Sequence, residues 1–349
     1  MATEFRYLEV RQEGAVVVCV MRNPPQNLLN AGMVEELHAL VDGLAADEAA
    51  RALVLTGGAE EIFITHYDVG ELSRLSDAVR SPAADGGGAE TAGVRSDAGG
   101  ASGGAVAARA ERRRSEAEGD AEVAGGAAAA RAEARATSTS GGAGGTQAAR
   151  PRSEADARWA EPEDSADAIP ADLHPLNRLS LKLARLPQAV IAAINGVAMG
   201  GGCELALACD FRLMARGGRL GLPEVRVGIL PGAGGTQRMT RLLGQAKALE
   251  LMLLGETVDA DTAERLGLVH RAVEAGRVVE EAVALGREIA SRPRLSVALI
   301  KQCVYRAAEV GLVEGLRFES AAFMQTMRSE EASRLMRAYL GSGRGLDEV

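Results

Sequence analysis

Three short segments of this chain carry apolar side chains at nearly every position: residues 15–22 (AVVVCVMR), 51–58 (RALVLTGG) and 189–194 (AVIAAI). A half-exposed strand alternates apolar and polar residues, because successive side chains point to opposite faces. Runs without alternation fit strands covered on both faces, as parallel strands in an α/β fold are. Between the first two runs, residues 23–27 (NPPQN) break the strand with turn formers. Residues 31–47 then repeat Met33, Val34, Leu37, Leu40, Val41 and Leu44 at helical spacing. Strand, turn, helix, strand is the order expected of an α/β domain.

The patterning stops at about residue 76. From there to 156 the chain is built of Ala, Gly, Ser, Arg and Glu, with almost no large apolar side chains. Such a segment buries too little surface to offset its ordering entropy, so 76–156 is expected to be a low-complexity, disordered insertion. Globular patterning returns with a helix within 171–187. The strand 189–194, a turn at Asn195-Gly196, a helix opened by CELALACD, a short strand 211–215 and a helix from about 236 come next. LVHRAV at 268–273 has the composition of one more strand, and the remainder reads as helices. The domain reading is a core of 1–75 and 157–270, the insertion 76–156, and a helical region 271–349.

Composition sets outer limits. With 349 residues and 47% hydrophobic content, the chain has material for a sizeable core. A net charge of −9 gives no attraction for nucleic acid or for an anionic membrane surface. The first residues, MATEFRYLEVRQEG, lack a basic segment leading into an apolar one, and no apolar run reaches membrane-spanning length. A cytoplasmic location is the expectation. Cys19, Cys203, Cys209 and Cys303 form no CxxC pair and no zinc-spaced cluster with histidine, so reduced, mostly buried thiols and no metal are expected.

The stretch most suggestive of chemistry is GVAMGGGCELALACD, residues 196–210. Three glycines between a strand and a helix place bare backbone N–H groups at a helix N-terminus, where partial positive charge collects. The spacing is not GxGxxG, and GILPGAGGTQR (residues 228–238) lacks the lysine of a phosphate loop. Glu204 falls in the first turn after the glycines. Glu224 sits in GLPEVRVGILPGAGG between Pro223 and Val225, surroundings that desolvate a carboxylate and raise its pKa. Two such carboxylates lining one pocket can divide acid and base roles. Each glutamate alone reads equally well as a surface residue or a helix N-terminal charge.

Taken together, QAVIAAINGVAMGGGCELALACDFRLMA, LPEVRVGILPGAGGTQRMTRLLG and GETVDADTAERLGLVHRAV resemble the crotonase superfamily, and within it the enoyl-CoA hydratases. RALVLTGGAEEIFITHYDVGEL (residues 51–72) is similar to the family's F-x-A-G-A-D-I-x-E-L segment. The resemblance covers nearly everything outside 76–156. It implies the ClpP/crotonase fold, a repeated ββα core with a C-terminal helical region that mediates oligomerisation as a trimer or a dimer of trimers. It also implies an acyl-CoA thioester substrate, with coenzyme A as part of that substrate rather than a separate cofactor.

Carried over by position, the resemblance gives an oxyanion hole from the backbone N–H groups of Tyr67 and Gly201. Glu204 would orient and deprotonate a water, and Glu224 would supply the α-proton, as in the hydration step of fatty-acid β-oxidation. RNPPQNLLN (residues 22–30) is similar to the turn whose backbone contacts the CoA adenine, which implies contacts from Gln26, Asn27 and Leu28. His66, Asp68, Gly200 and Gly232 are the other implied substrate contacts. The chain departs from the family at His66, where glycine is usual, and at Tyr67, where a small residue is usual. Those departures keep two related activities in view, an isomerase and an aryl-enoyl-CoA hydratase-lyase. A non-catalytic acyl-CoA-binding protein is the alternative from another class, and two intact glutamates argue against it.

Overall fold

The computed structural model describes residues 5–80, 169–343 and 345. Most of the expected insertion 76–156 lies outside those residues, and its first five, 76–80, continue a helix.

Six strands form the larger sheet: β1 (Leu8–Glu13), β2 (Val16–Met21), β3 (Ala52–Gly57), β5 (Ala189–Ile194), β7 (Phe211–Ala215) and β10 (Arg271–Val273), in the order β1-β2-β3-β5-β7-β10. All neighbours run parallel except β1, which pairs antiparallel with β2 at the edge. Four short strands form a second sheet: β4 (Ile62–Ile64), β6 (Val197–Met199), β8 (Arg219–Gly221) and β9 (Thr257–Asp259). The chain alternates between sheets, β3 then β4, β5 then β6, β7 then β8, with helices inserted between these pairs. This is the repeated ββα plan.

The uninterrupted apolar runs are explained by burial on two faces. Val17, Cys19 and Met21 of β2 face one core cluster, and Val16, Val18 and Val20 face the other. On the first face lies α1 (Ala31–Ala45), which buries the six apolar residues read from its periodicity. Asn30 caps it, its Oδ1 accepting from Met33 N–H at 2.8 Å. On the second face α7 (Val278–Ala290) buries Val278, Ala282 and Val283. Burial of this kind contributes about 1.5–3 kcal/mol per large aliphatic side chain.

The other helices among the described residues are α2 (Val69–Arg80), α3 (Pro175–Arg185), α4 (Gly201–Leu207), α5 (Gly235–Leu254), α6 (Ala260–Arg265), α8 (Arg294–Ala307), α9 (Leu312–Met327) and α10 (Glu330–Ser342). Residues from 271 on are not all helical, because β10 completes the large sheet and α7 covers it. Helix α8 is fastened by a buried ion pair. Lys301 Nζ lies 2.8 Å from Asp210 Oδ2 and also donates to Leu183 O and Gln188 O, while Tyr305 O–H donates to Asp210 Oδ1 at 2.8 Å. Helices α9 and α10 leave large apolar side chains in solvent, among them Leu312 (78% exposed), Val313 (65%), Phe323 (59%) and Leu340 (79%).

Of the four cysteines, Cys19, Cys203 and Cys209 are buried and only Cys303 is partly accessible. Burial raises all three buried thiols, Cys19 and Cys209 to about 12. Among the described residues no cluster of side chains could hold a metal ion, and no helix is long and apolar enough to cross a membrane.

Candidate active site

The strand β6 ends at Met199, and Gly200 turns the chain into α4 with φ 52° and ψ −124°. Positive φ is the region where a Cβ clashes, so glycine is needed there. Space is a second constraint: a Cβ on Gly200 would lie 2.9 Å from Glu224 Oε1 and 3.7 Å from His66 Cβ. The first bond of α4 runs from Glu204 N–H to Gly200 O at 2.8 Å. The amides of Gly201, Gly202 and Cys203 precede that bond and have no partner within the helix.

Tyr67 comes to this helix end from the other side. It forms an isolated parallel bridge with Leu29, in which Leu29 N–H donates to His66 O at 2.9 Å and Asp68 N–H donates to Leu29 O at 2.8 Å. Both bonds use the groups flanking Tyr67, so its own N–H points away from Leu29's strand. A Cβ on Gly201 would sit 3.6 Å from that nitrogen and 3.4 Å from Tyr67 Cβ. Tyr67 and Gly201, 134 residues apart in sequence, thus pack against each other, next to Gly200 and the Glu224 carboxyl.

The two glutamates are provisioned differently. Glu204 is 4% exposed, and its Oε1 accepts from Ala233 N–H at 2.7 Å and from Gly235 N–H at 2.9 Å. Burial raises its pKa, opposed by those two amides and by the positive charge of Arg238. Glu224 opens a 3₁₀ turn, Glu224–Val227, after Pro223. Its Oε2 is buried and has no hydrogen-bond partner. Burial, reinforced by the charge of Glu204, pushes this carboxyl up to about 7. Two amides and a cation oppose the effect of burial on Glu204, whereas one oxygen of Glu224 is left without a partner, so the two carboxyls are unequally supported in their charged forms.

The other sequence-derived residues fall into two groups. His66 stands at the site: its Nδ1 is 2.7 Å from Tyr67 O, and its Cβ borders Gly200. The Tyr67 ring meets His174 edge-on at 6.0 Å between centroids, and burial lifts its phenol to about 12 with help from Glu71. Asp68 is occupied locally, its Oδ1 accepting from Gly70 and Glu71 N–H at the start of α2. Gly232 is exposed, and its carbonyl accepts from Asn177 Nδ2 at 2.9 Å.

The turn holding Gln26, Asn27 and Leu28 is tied down through its carbonyls. Gln26 O accepts from the Thr65 hydroxyl, Asn27 O from Thr65 N–H and Leu28 O from Asn23 Nδ2. The Asn27 side chain is wholly buried, donating to Phe63 O at 2.6 Å and accepting from Asn23 N–H at 2.7 Å. It therefore shapes the turn, while Gln26 beside it is exposed.

The sequence alone does not single out Ala233 and Gly235 as the donors that hold Glu204. Their segment, PGAGGTQR, has the amide-rich character of an anion loop, and the anion it serves is a side chain of the same protein. Gly234, between them, has φ +96°.

The chain is similar to known proteins in both sequence and fold. The sequence model described as enoyl-CoA hydratase/isomerase matches residues 168–344. A probable enoyl-CoA hydratase of Rhizobium meliloti is 44% identical over 151 residues, 43% of this chain and 59% of that protein. A probable enoyl-CoA hydratase of Mycobacterium bovis is 40% identical over 190 residues, 54% of this chain and 74% of that protein. Against the first two curated relatives the chain spans 59% and 62% of their length. A solved enoyl-CoA hydratase subunit from Geobacillus kaustophilus superposes with a TM-score of 0.67 at 27% identity, covering 98% of both chains. With its two-sheet ββα core, its C-terminal helices and these relatives, the chain belongs to the enoyl-CoA hydratase/isomerase family and has the crotonase fold.

Proposed function

We propose that this protein adds water to a trans-2-enoyl-CoA, giving a 3-hydroxyacyl-CoA. The observation that supports the proposal is the packing of Tyr67 against Gly201, at the start of the helix that carries Glu204, with the Glu224 carboxyl against Gly200. The thioester oxygen accepts from both amides. As negative charge grows on that oxygen, each donor contributes about 2.7–4 kcal/mol to the transition state.

Glu204, ionised, takes a proton from water, whose oxygen bonds to C3. The C2=C3 π electrons move toward C2 and onto the thioester oxygen as an enolate. Glu224, protonated, delivers its proton to C2 as the enolate collapses. With both glutamates on the same side of the enoyl plane, water oxygen and proton arrive at one face and the addition is syn. The two carboxyls act on a shared proton inventory. The reaction needs no cofactor beyond the coenzyme A of the substrate.

The adenine end of CoA lies against the backbone of Gln26, Asn27 and Leu28, and the acyl end lies against His66 and Tyr67. Gly200, Gly232 and Asp68 act by shaping the walls, the last through its cap on α2. The exposed apolar faces of α9 and α10 suit self-association as a trimer or a dimer of trimers, and a cytoplasmic setting fits such chemistry.

A hydratase-lyase acting on an aryl-enoyl thioester is the second reading. It is favoured by the Tyr67–His174 ring pair, two aromatic side chains beside the acyl end of the site. Loss of the ultraviolet absorbance of the enoyl thioester on mixing with crotonyl-CoA tests the first reading. A panel of aliphatic and aryl enoyl-CoAs separates the two. Tight CoA binding without turnover of any of them would support a binding protein instead.

A further inference from the structure

Arg238 lies in the first turn of α5, where its N–H donates to Gly234 O at 2.9 Å. Its side chain folds back over the start of its own helix. A Cβ at Gly234 would overlap the guanidinium, which therefore rests directly on that glycine. Nη2 donates to Ser180 Oγ at 2.8 Å, and the buried Ser180 hydroxyl donates to Asn177 O at 2.7 Å within α3. Asn177 reaches the same turn at Gly232 O. Gly234 is the middle residue of the turn whose flanking amides, of Ala233 and Gly235, hold Glu204 Oε1. Among the described residues Arg238 forms no ion pair within 4.0 Å, and Glu204 is a carboxylate on which its charge acts.

Resting on the hydratase reading above, we propose that Arg238 is a positioning residue for Glu204. Braced by Ser180, its guanidinium holds the Gly234 turn so that two amides stay aimed at Glu204, and it supplies the positive charge that this carboxylate faces. The role of base needs both effects. Two amides fix the direction of Oε1, and a nearby cation favours the ionised form against burial. Arginine suits the task because its fork reaches the serine and the glycine face together.

The charged and titratable groups around the pair are few. Glu204 faces Arg238 from α5, Glu224 from the 3₁₀ turn and Cys203 from its own helix. Arg238 faces Tyr305 from α8, Arg241 from α5 and Cys209 after α4. Burial pushes Tyr305, Cys203 and Cys209 upward, so those three stay neutral through the physiological range. The acid limb of activity then belongs to Glu204 coupled to Glu224.

The test is steady-state hydration of crotonyl-CoA by wild type, Arg238→Met, Arg238→Lys and Ser180→Ala across the pH range, with circular dichroism on each. Arg238→Met should lower kcat about tenfold or more with KM little changed. It should also move the acid limb of kcat/KM up by about half a pH unit or more. Arg238→Lys should keep the limb at the wild-type position while kcat falls, since an ammonium cannot span both contacts. Ser180→Ala should lower kcat with the limb unmoved. If Arg238→Met does not fold, the other two variants decide. A lowered kcat with an unmoved limb in Arg238→Met, or wild-type kcat in Arg238→Lys or Ser180→Ala, overturns the proposal. Failure of the wild type itself to hydrate any enoyl-CoA overturns the hydratase reading instead, and this inference with it.

Discussion

The Gly235 amide donates to Glu204 Oε1 at 2.9 Å, and a Cβ on Gly235 would lie at that same distance from that same oxygen. The residue that holds the carboxylate must therefore lack a side chain. Such a Cβ would also meet Leu222 Cδ1 at 2.8 Å and Pro231 Cβ at 3.0 Å, so the site has no slack on either side.

Gly235→Ala should consequently displace Glu204 as well as strain the core. Overpacking of this kind costs about 1–3 kcal/mol. Hydration should fall by more than the stability loss explains, with CoA affinity retained. Activity equal to wild type in a folded variant would contradict this geometry.

Glu204→Gln and Glu224→Gln remove the base and the acid separately. General acid–base groups contribute about 10²–10⁴-fold, and each variant should lose activity in that range while binding CoA nearly as before. Either variant keeping more than about a tenth of wild-type rate is incompatible with the two-carboxylate mechanism.

At Tyr67 the amide and the side chain can be tested apart. Tyr67→Ala keeps the N–H and should retain substantial activity, with a shift toward bulkier acyl groups. Tyr67→Pro deletes the donor and should cost about 10²–10³-fold or more. If the alanine variant is folded and as inactive as the proline variant, the phenol takes part in the chemistry.

The raised pKa of Glu224 has a signed effect on stability. Burial first, and Glu204 second, lift it from 4.5 to about 7, so the native state holds a proton that the unfolded chain releases between those values. Its stabilising contribution is complete below pH 4.5 and is lost as pH rises through about 7. Glu224→Gln cannot ionise, so its melting temperature should gain on wild type as pH passes from acid to alkaline. A difference between the two proteins that does not change with pH would refute the assignment. The alkaline limb of kcat/KM should fall near the same pKa.

Lys301 is buried against Asp210, Leu183 O and Gln188 O, with all three of its N–H donors used. Lys301→Met leaves Asp210 without its cation and two carbonyls without a donor. Breaking such a pair costs about 3–5 kcal/mol, readable as a lower urea midpoint at unchanged slope. A loss below about 1 kcal/mol would mean that solvent reaches this site.

Strands β5 and β7 were legible to the residue: β5 is apolar at every position, and β7 is apolar except for Arg212, whose buried side chain donates to Leu268 O and Cys209 O. The small sheet was not. Its strands β4, β6, β8 and β9 have three residues each, too few for any period to show. Edge strand β1, LEVRQE, exposes most of its length and reads as surface. At the site, Glu204 and Glu224 were visible as side chains in unusual company. The amides that hold Glu204 were not, since a backbone N–H leaves no residue-type signature and its direction depends on the left-handed turn at Gly234. Arg238 and Ser180 come together from different helices, and no local pattern links them.

The burial of three of the four cysteines bears on how the protein meets free thiols, including unesterified coenzyme A under the hydratase reading. Coenzyme A carries a thiol when it is not esterified, and thiols exchange with protein cysteines through the thiolate. Cys203 adjoins the glycines of the proposed oxyanion hole, yet it is enclosed and its proton is held tightly by burial. Cys19 and Cys209 are enclosed in the same way. Mixed disulfides with the carrier, alkylating agents and peroxide should therefore all find one partly accessible position, Cys303 on α8, far along the chain from either glutamate.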